Sequence, residues 1–296
     1  MAKYDYTDPA FIEEVSDVRS AIRTSVFSYC KAQLGWSERK CKERIDKEIK
    51  REIPKGLFDT QEERWGWELS GAKILDVGSG QGGAVLEALL RGADAYGIEP
   101  GDEFVELSRL RLEEADFEQG RIRRTGGESI PFDNNTFDYV VSLQVLEHVE
   151  DPYPILEEIF RVLIPGGKAH IRCENYLAFR EQHYRVPWLP MLPKSIGSFY
   201  LRALGRDPSF LKDYVFYSTY PKIIQMVEAI GFQNEKIEKR RQKLDRKESI
   251  ERKSAKAIAH ILNCLPNRFR ERVTDFLLHM TNVFRTGIRL QLKKPK

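Results

Sequence analysis

The sequence has few cysteines, no long apolar run and no compositional bias. Its four cysteines, Cys30, Cys41, Cys173 and Cys264, form no CxxC pair and no Cys/His cluster at zinc spacing. We therefore expect free thiols in a reducing compartment, without a disulfide framework or a metal site. The 20 glycines and 14 prolines among 296 residues are ordinary numbers, which excludes a collagen-like or low-complexity chain.

Membrane and export signals are also missing from the sequence. No stretch approaches the roughly 20 apolar residues of a membrane-spanning helix, and residues 1–8 contain no signal-peptide core. We therefore expect a soluble, cytoplasmic protein. Hydrophobic residues make up 41% of the chain, which is enough for a substantial core. The length predicts one large domain or a core with an appendage.

The net charge of +3 is unevenly distributed. Residues 236–296 carry 18 Lys and Arg against 6 Asp and Glu, so the remainder of the chain is net acidic. A basic tail on an acidic body predicts an anionic partner, either a phosphorylated substrate, a membrane surface or nucleic acid. The alternative is a solvated helical face without a partner.

The hydrophobic pattern divides the chain in two. Helical periodicity over residues 9–31 and 37–52 predicts an N-terminal helical cap covering residues 1–70. Strands and helices then alternate, which predicts an α/β domain with a doubly wound sheet over residues 71–296. Two insertions interrupt this domain, an aromatic lid at 174–219 and a basic helical segment at 241–283. The expected strands are 72–77, 95–99, 122–124, 137–143, 168–173, 232–238 and 287–292.

The strongest chemical signal is the run Asp-Val-Gly-Ser-Gly-Gln-Gly-Gly, which begins at Asp76 and follows a predicted strand. Glycines let the backbone turn tightly and approach a ligand closely, and the next helix presents free N–H groups. Gly78, Gly80 and Gly83 fit the GxGxxG pattern of dinucleotide-binding proteins. Asp76, Gly78, Gly80 and Gly82 fit the DxGxGxG pattern of methyltransferases. The run alone does not decide between them.

Glu99 ends the next predicted strand. An acidic side chain at this place can accept two hydrogen bonds from ribose hydroxyls. Since NAD and S-adenosylmethionine both carry that ribose, Glu99 indicates a nucleoside ligand without choosing between the two. Its alternative role is that of a charge at a helix start.

Four further motifs distinguish the two ligands by their order and spacing. They are Glu128-Ser-Ile-Pro-Phe, Phe137-Asp-Tyr-Val-Val-Ser, Leu146-Glu-His-Val-Glu-Asp-Pro and Leu163-Ile-Pro-Gly-Gly. The set resembles class I S-adenosylmethionine-dependent methyltransferases, most closely the broad group of quinone-type and small-molecule enzymes. The resemblance covers about residues 72–173 and implies a Rossmann-like sheet of seven mostly parallel strands, with helices on both faces.

The resemblance also implies S-adenosylmethionine as cofactor and a role for each matching position. The glycine turn would hold the methionine end, the second strand's end the ribose, and the fourth strand's end would face the sulfonium. The adenine loop departs from the family, because Gly126 stands where an acidic residue is frequent. The implied cofactor-binding residues are Asp76, Gly78, Ser79, Gly80, Gly82, Glu99, Pro100, Gly127, Glu128, Ser142, Leu143 and Gln144.

Three residues are candidates for catalysis. Methyl transfer needs in-line placement of the acceptor, and a hydroxyl acceptor also needs a base. His148 follows the fourth strand, while Tyr176 and His183 lie in the predicted lid. Each has a structural alternative, since Glu147-His148 can cap a local helix and the lid residues can simply pack.

The function that follows from the resemblance is methyl transfer to a small-molecule or glycan- or lipid-linked acceptor, most often to oxygen. RNA or protein methylation through the basic C-terminal region is one alternative, and a non-catalytic cofactor-binding protein is another. We do not expect a nucleic-acid partner, because residues 142–145 read Ser-Leu-Gln-Val instead of a base-methylation motif. The basic C-terminal helices could contact a membrane peripherally.

Overall fold

The computed structural model describes residues 18–235 and 283–296, and a seven-stranded sheet forms its centre. The strands are β1 (Lys73–Val77), β2 (Asp94–Glu99), β3 (Ile122–Arg124), β4 (Phe137–Leu143), β5 (Leu163–Glu174), β8 (Gln233–Asn234) and β9 (Gly287–Lys293). Their order is β3-β2-β1-β4-β5-β9-β8, in which β9 runs antiparallel to both β5 and β8. This confirms the Rossmann-like, mostly parallel sheet. A separate hairpin pairs β6 (Arg180–Glu181) with β7 (Val186–Pro187).

Helices cover both faces of the sheet. They are α1 (Val18–Ser28), α2 (Glu38–Ile49), α3 (Glu52–Trp65), α4 (Gly83–Leu90), α5 (Asp102–Glu113), α6 (Tyr153–Val162), α7 (Lys194–Ala203), α8 (Ser209–Asp213) and α9 (Tyr220–Ile230). On one face, α6 and α9 bury Ile155, Ile159 and Ile223 against the central strands. On the other face, Phe58 of α3 packs with Val85 of α4 in a second core. Because α3 covers α4, the apolar helix α4 is buried along nearly its whole length.

The helix predicted over residues 37–52 corresponds to α2, and α3 follows it directly. Helix α2 ends before Arg51, which adopts a left-handed conformation with φ +55°, and α3 starts at Glu52. Pro54 lies in the first turn of α3, where a proline removes no helical hydrogen bond. The two helices are therefore separated at Arg51, three residues before Pro54.

The N-terminal helices and the lid share a third core. Ile22 of α1 packs in the same cluster as Tyr184 and Trp188 of the lid. The indole Nε1 of Trp36 donates to the backbone oxygen of His183 at 2.7 Å, and the Arg185 guanidinium lies 3.7 Å from the Trp36 ring centre. The predicted cap and the predicted lid therefore form one layer, and the boundary at residue 70 stays a prediction.

Several sequence predictions concern residues that the structure does not describe. The basic insertion at 241–283 lies outside the described residues except for Val283, as do Cys264 and residues 1–17. Cys30, Cys41 and Cys173 are buried free thiols. Among the described residues, no helix has the length and apolar character required to span a bilayer.

Candidate functional site

The carboxyl ends of β1, β2 and β4 meet at one edge of the sheet. Val77 of β1 pairs with Ile98 of β2 on one side and with Ser142 of β4 on the other. The side chains that end these strands, together with the loops that follow, are therefore neighbours. This edge is where parallel α/β sheets bind their ligands.

The loop after β1 needs glycine because its backbone has positive φ and because one part of it lies very close to a neighbouring turn. Gly78, Gly80 and Gly82 all have positive φ, at +74°, +51° and +72°. A Cβ on Gly78 would lie 2.3 Å from Cγ2 of Val145, so the loop packs directly against the turn that follows β4. A Cβ on Gly80 would meet nothing within 4 Å, so this part of the loop faces open space.

Glu99 holds the glycine loop in place through its carboxylate. The backbone N–H of Gly80 donates to Oε2 at 2.9 Å, and that of Gly101 donates to Oε1 at 3.0 Å. Burial raises the pKa of Glu99, although these two donors act to lower it. Each carboxylate oxygen can still accept a second hydrogen bond, as ribose hydroxyls would require.

Asp76 is a second buried carboxyl at this edge, with only 4% of its surface exposed. Burial, together with the charge of Glu99, raises the pKa of Asp76 to about 7. The Ser79 hydroxyl is buried nearby and has no hydrogen-bond partner in the described part of the chain. This set of acceptors would be stabilised by a ligand that brings an ammonium group and hydroxyls, so these residues fit S-adenosylmethionine.

The remaining predicted cofactor residues lie along the same edge. A Cβ on Gly127 would lie 3.2 Å from Val77, which places this loop beside the end of β1, and the Glu128 carboxylate folds over Gly126. Ser142 is fully buried. The structure thus brings together the groups that the resemblance implied, while their contacts with a cofactor stay predictions. Pro100 is exposed, and Leu143 is half-buried.

A buried polar cluster adjoins the glycine loop. Gln144 has a left-handed backbone with φ +61°, which turns the chain at the end of β4. Its side-chain Nε2 donates to Oε1 of Glu147 at 2.8 Å and to Oε1 of Glu174 at 2.7 Å. Glu147 is fully buried, and this burial raises its pKa to about 7. Two carboxyl groups therefore meet one amide close to the predicted methyl-transfer position.

The lid adds a third carboxylate to this cluster. Glu181 is 1% exposed and accepts three hydrogen bonds. These come from the Tyr176 hydroxyl at 3.2 Å, His183 Nδ1 at 2.9 Å and the Tyr184 backbone N–H at 2.6 Å. Glu181 thus connects two of the candidate catalytic residues, Tyr176 and His183. The ring of Tyr176 also stacks on Tyr217 with centroids 4.4 Å apart.

The two candidate histidines face each other across the site. Their ring centroids are 5.4 Å apart, and His148 Nδ1 lies 2.6 Å from the backbone oxygen of Tyr214. Burial, reinforced by His183, lowers the pKa of His148 to about 4. Burial also acts to lower the pKa of His183, but the hydrogen bond and charge of Glu181 outweigh it and raise that pKa. His148 is therefore neutral at pH 7, whereas the protonated form of His183 is stabilised.

Sequence reasoning missed the carboxylates that organise these histidines. Glu174 ends β5 and Glu181 lies in the lid hairpin, so no spacing along the chain links either one to Glu147. Among the aromatic residues of the lid, Tyr184 and Trp188 pack in the core shared with the N-terminal helices. These two residues therefore have a packing role.

Comparison with known proteins relates the central part of this chain to methyltransferases. Residues 75–171 match the family model of a methyltransferase domain. The chain is 38% identical over 172 residues to a ubiquinone biosynthesis O-methyltransferase of Psychrobacter arcticus, and 30% identical over 149 residues to one of Xanthomonas oryzae pv. oryzae. These alignments cover 57% and 50% of this chain. They cover 62% and 58% of the relatives, less than two-thirds of either.

Solved structures resemble the chain over more of its length. Phosphoethanolamine N-methyltransferase 2 of Haemonchus contortus, in complex with S-adenosyl-L-methionine, aligns with a TM-score of 0.50 and 16% identity, over 96% of this chain and 61% of the other. A putative sarcosine dimethylglycine methyltransferase from Galdieria sulphuraria aligns with a TM-score of 0.50 and 14% identity, over 93% and 98%. At these identities the likeness concerns the fold.

Proposed function

We propose that this protein methylates a hydroxyl group of a small molecule, using S-adenosylmethionine, because residues 75–171 match the family model of a methyltransferase domain and the chain shares the fold of solved methyltransferases. The acceptor can be free or linked to a glycan or lipid. The observation that carries the proposal is the buried cluster of imidazole and carboxyl groups beside the glycine loop.

The position of this cluster supports a compact acceptor. Val145 lies between Gln144 and Glu147 in the chain and contacts the glycine loop at Gly78. The polar side chains of the cluster are therefore next to the predicted cofactor site. The lid closes over the cluster, and the bond between Trp36 and the His183 backbone joins the lid to the N-terminal helices. Such closure excludes water and favours a small acceptor group over a folded macromolecule.

Different residues of the chain would bind the cofactor and accept the proton of the acceptor. When bound, S-adenosylmethionine supplies a methyl group on a positively charged sulfur, so the protein needs only to place and deprotonate the acceptor. Asp76 and Glu99 would bind the polar ends of the cofactor. The imidazole of His148, which is neutral at pH 7, would face the acceptor hydroxyl and receive its proton, with the His183 ring beside it. Glu181 is a positioning residue, because it holds the His183 ring through Nδ1.

Two further functions follow less directly from the same fold. RNA or protein methylation depends on the basic residues at 241–283, which lie outside the described residues except for Val283. A non-catalytic cofactor-binding protein would have no use for a buried cluster of titratable groups, which is costly to maintain. We therefore retain O-methylation of a small acceptor, and treat peripheral membrane contact and cytoplasmic location as expectations.

A labelling experiment tests this proposal. The purified protein is incubated with S-adenosylmethionine carrying a labelled methyl group and with cell extract from its source. The extract is separated into small-molecule, lipid, glycan, protein and RNA fractions. We expect label in one of the first three fractions, and the His183→Ala variant to lose it. Label in RNA or protein would contradict the proposed acceptor class.

A further inference from the structure

Glu147, His148 and His183 bring three metal-binding groups to one point. One ligand atom from each lies within 4.8 Å of the other two. Glu147 and His148 belong to the short turn after β4, whereas His183 belongs to the lid. The site therefore exists only while the lid lies over the sheet edge.

Both imidazoles are hydrogen-bonded through Nδ1, so Nε2 is the nitrogen of each ring left to bind a metal ion, which would displace the second proton of His183. His148 Nδ1 donates to the backbone oxygen of Tyr214, which can only accept, so the proton of the neutral ring lies on Nδ1. His183 Nδ1 donates to the Glu181 carboxylate in the same way. This leaves Nε2 of each neutral ring without a proton. Metal-binding histidines nearly always have such a carboxylate or carbonyl on their other nitrogen.

Unpartnered acceptor atoms provide a second observation that points to a cation. Oε2 of Glu147 is buried and has no hydrogen-bond partner in the described residues. Oε1 of Gln144 and Oε2 of Glu174 are also buried without a hydrogen-bond partner in the described residues. The other polar atoms of these side chains, Nε2 of Gln144 and Oε1 of Glu174, are hydrogen-bonded to each other. Buried acceptors without donors are unfavourable. A positive ion bound at Glu147 would provide the interaction that its Oε2 lacks.

We propose that Glu147, His148 and His183 together bind one divalent cation of the zinc class. Two imidazoles and one carboxylate form a ligand set of borderline softness, which suits Zn²⁺ better than Mg²⁺. Bonds of about 2.1 Å in a tetrahedral site place ligand atoms about 3.4 Å apart, so closure by about an ångström completes the site. The scattered cysteines gave no hint of it, because this site uses none of them.

The proposed cation has two consequences. Since His183 is a lid residue, metal binding would tie the lid to the turn after β4. The fourth coordination position would be open to water or to the acceptor hydroxyl. In the metal-bound protein the hydroxyl proton would pass to solvent instead of to His148, because both imidazoles are then bound to the ion. The binding claim is independent of the methyl transfer proposed above, whereas the role of the cation toward the acceptor depends on it.

Metal titration tests the binding claim directly. Full-length protein is stripped of metal with a chelator and titrated with Zn²⁺ in competition with a chromophoric chelator. We expect one Zn²⁺ per chain and no competition from equal Mg²⁺. Glu147→Gln, His148→Ala and His183→Ala should each abolish stoichiometric binding, whereas Glu157→Gln, at an exposed site on α6, should bind like the wild type. Glu181→Gln should weaken binding by about 10–100-fold, as loss of an orienting partner does.

Two measurements on the wild-type protein remain decisive if a variant fails to fold. Co²⁺ should give a visible spectrum of nitrogen and oxygen coordination without thiolate charge transfer. Added Zn²⁺ should slow proteolysis within residues 174–219. Absence of stoichiometric binding, a thiolate spectrum or wild-type affinity in folded ligand variants would overturn the inference. A protein that binds Zn²⁺ but methylates nothing would instead contradict the proposed function.

Discussion

Replacing Glu181 by glutamine is the sharpest perturbation of the cluster, because it changes charge while keeping size. The carboxylate accepts from Tyr176, His183 and Tyr184. A glutamine amide keeps one acceptor oxygen and turns an NH₂ group toward donors that previously met the second oxygen. At least one buried N–H or O–H group therefore loses its partner in either amide orientation.

The magnitude of this change depends on the protonation of His183. At pH 6 the imidazolium–carboxylate pair is buried, and removal of one partner of such a pair costs about 3–5 kcal/mol of stability. Because the pKa of His183 is raised above its ordinary 6.5, the stabilisation is complete below pH 6.5 and is lost as pH rises through the raised value. Above that raised value only a hydrogen bond to a charged acceptor remains, worth about 1.5–3 kcal/mol.

Urea unfolding at both pH values measures the effect in metal-free protein. We expect Glu181→Gln to lose more free energy of unfolding at pH 6 than at pH 9, with an unchanged dependence on urea concentration. Glu157→Gln removes an exposed carboxylate and should change stability by less than about 0.5 kcal/mol. A loss below about 1 kcal/mol at both pH values, or one that grows with pH, would refute the reasoning about this pair.

Three other perturbations test separate parts of the site. Gly78→Ala and Gly80→Ala both force a side chain into positive φ, but only the first meets Val145, so it should unfold at clearly lower urea concentration than the second. Glu147→Gln removes a carboxyl group whose pKa is raised from 4.5 to about 7. Because this group holds its proton more tightly in the folded protein, the wild type should lose roughly 3 kcal/mol of free energy of unfolding as pH rises across that interval. Urea unfolding of the metal-free variant should not show this loss. Asp76→Asn should weaken binding of S-adenosylhomocysteine about 10–150-fold in calorimetry, because one charge-assisted hydrogen bond is lost.

The sheet and the cofactor edge could be predicted because their signals are local. The strands that became β1 and β4 are short apolar runs, and the glycine loop combines turn residues with an acidic residue at fixed spacing. Parallel strands bring their carboxyl ends together, so separate motifs predict one site. The left-handed conformation of Arg51 could not be predicted, since an arginine in this conformation leaves no mark in the sequence.

The acceptor cluster could be predicted only in part. His148, Tyr176 and His183 were expected to be catalytic candidates from their places after β4 and in the lid, and the structure brings them together. Glu181 and the shared core of lid and N-terminal helices were missed. These contacts join residues that are far apart along the chain, and packing rather than periodicity determines them.

Identification of the methylated atom tests the central proposal most directly. The product formed from ¹³C-methyl S-adenosylmethionine is isolated from the labelled fraction and examined by mass spectrometry and NMR. We predict a compact molecule whose new methyl carbon is bonded to oxygen, formed by the wild type and by Glu157→Gln but not by His183→Ala. A methyl group on nitrogen, on RNA or on protein, or equal yield from His183→Ala, would contradict O-methylation at this cluster.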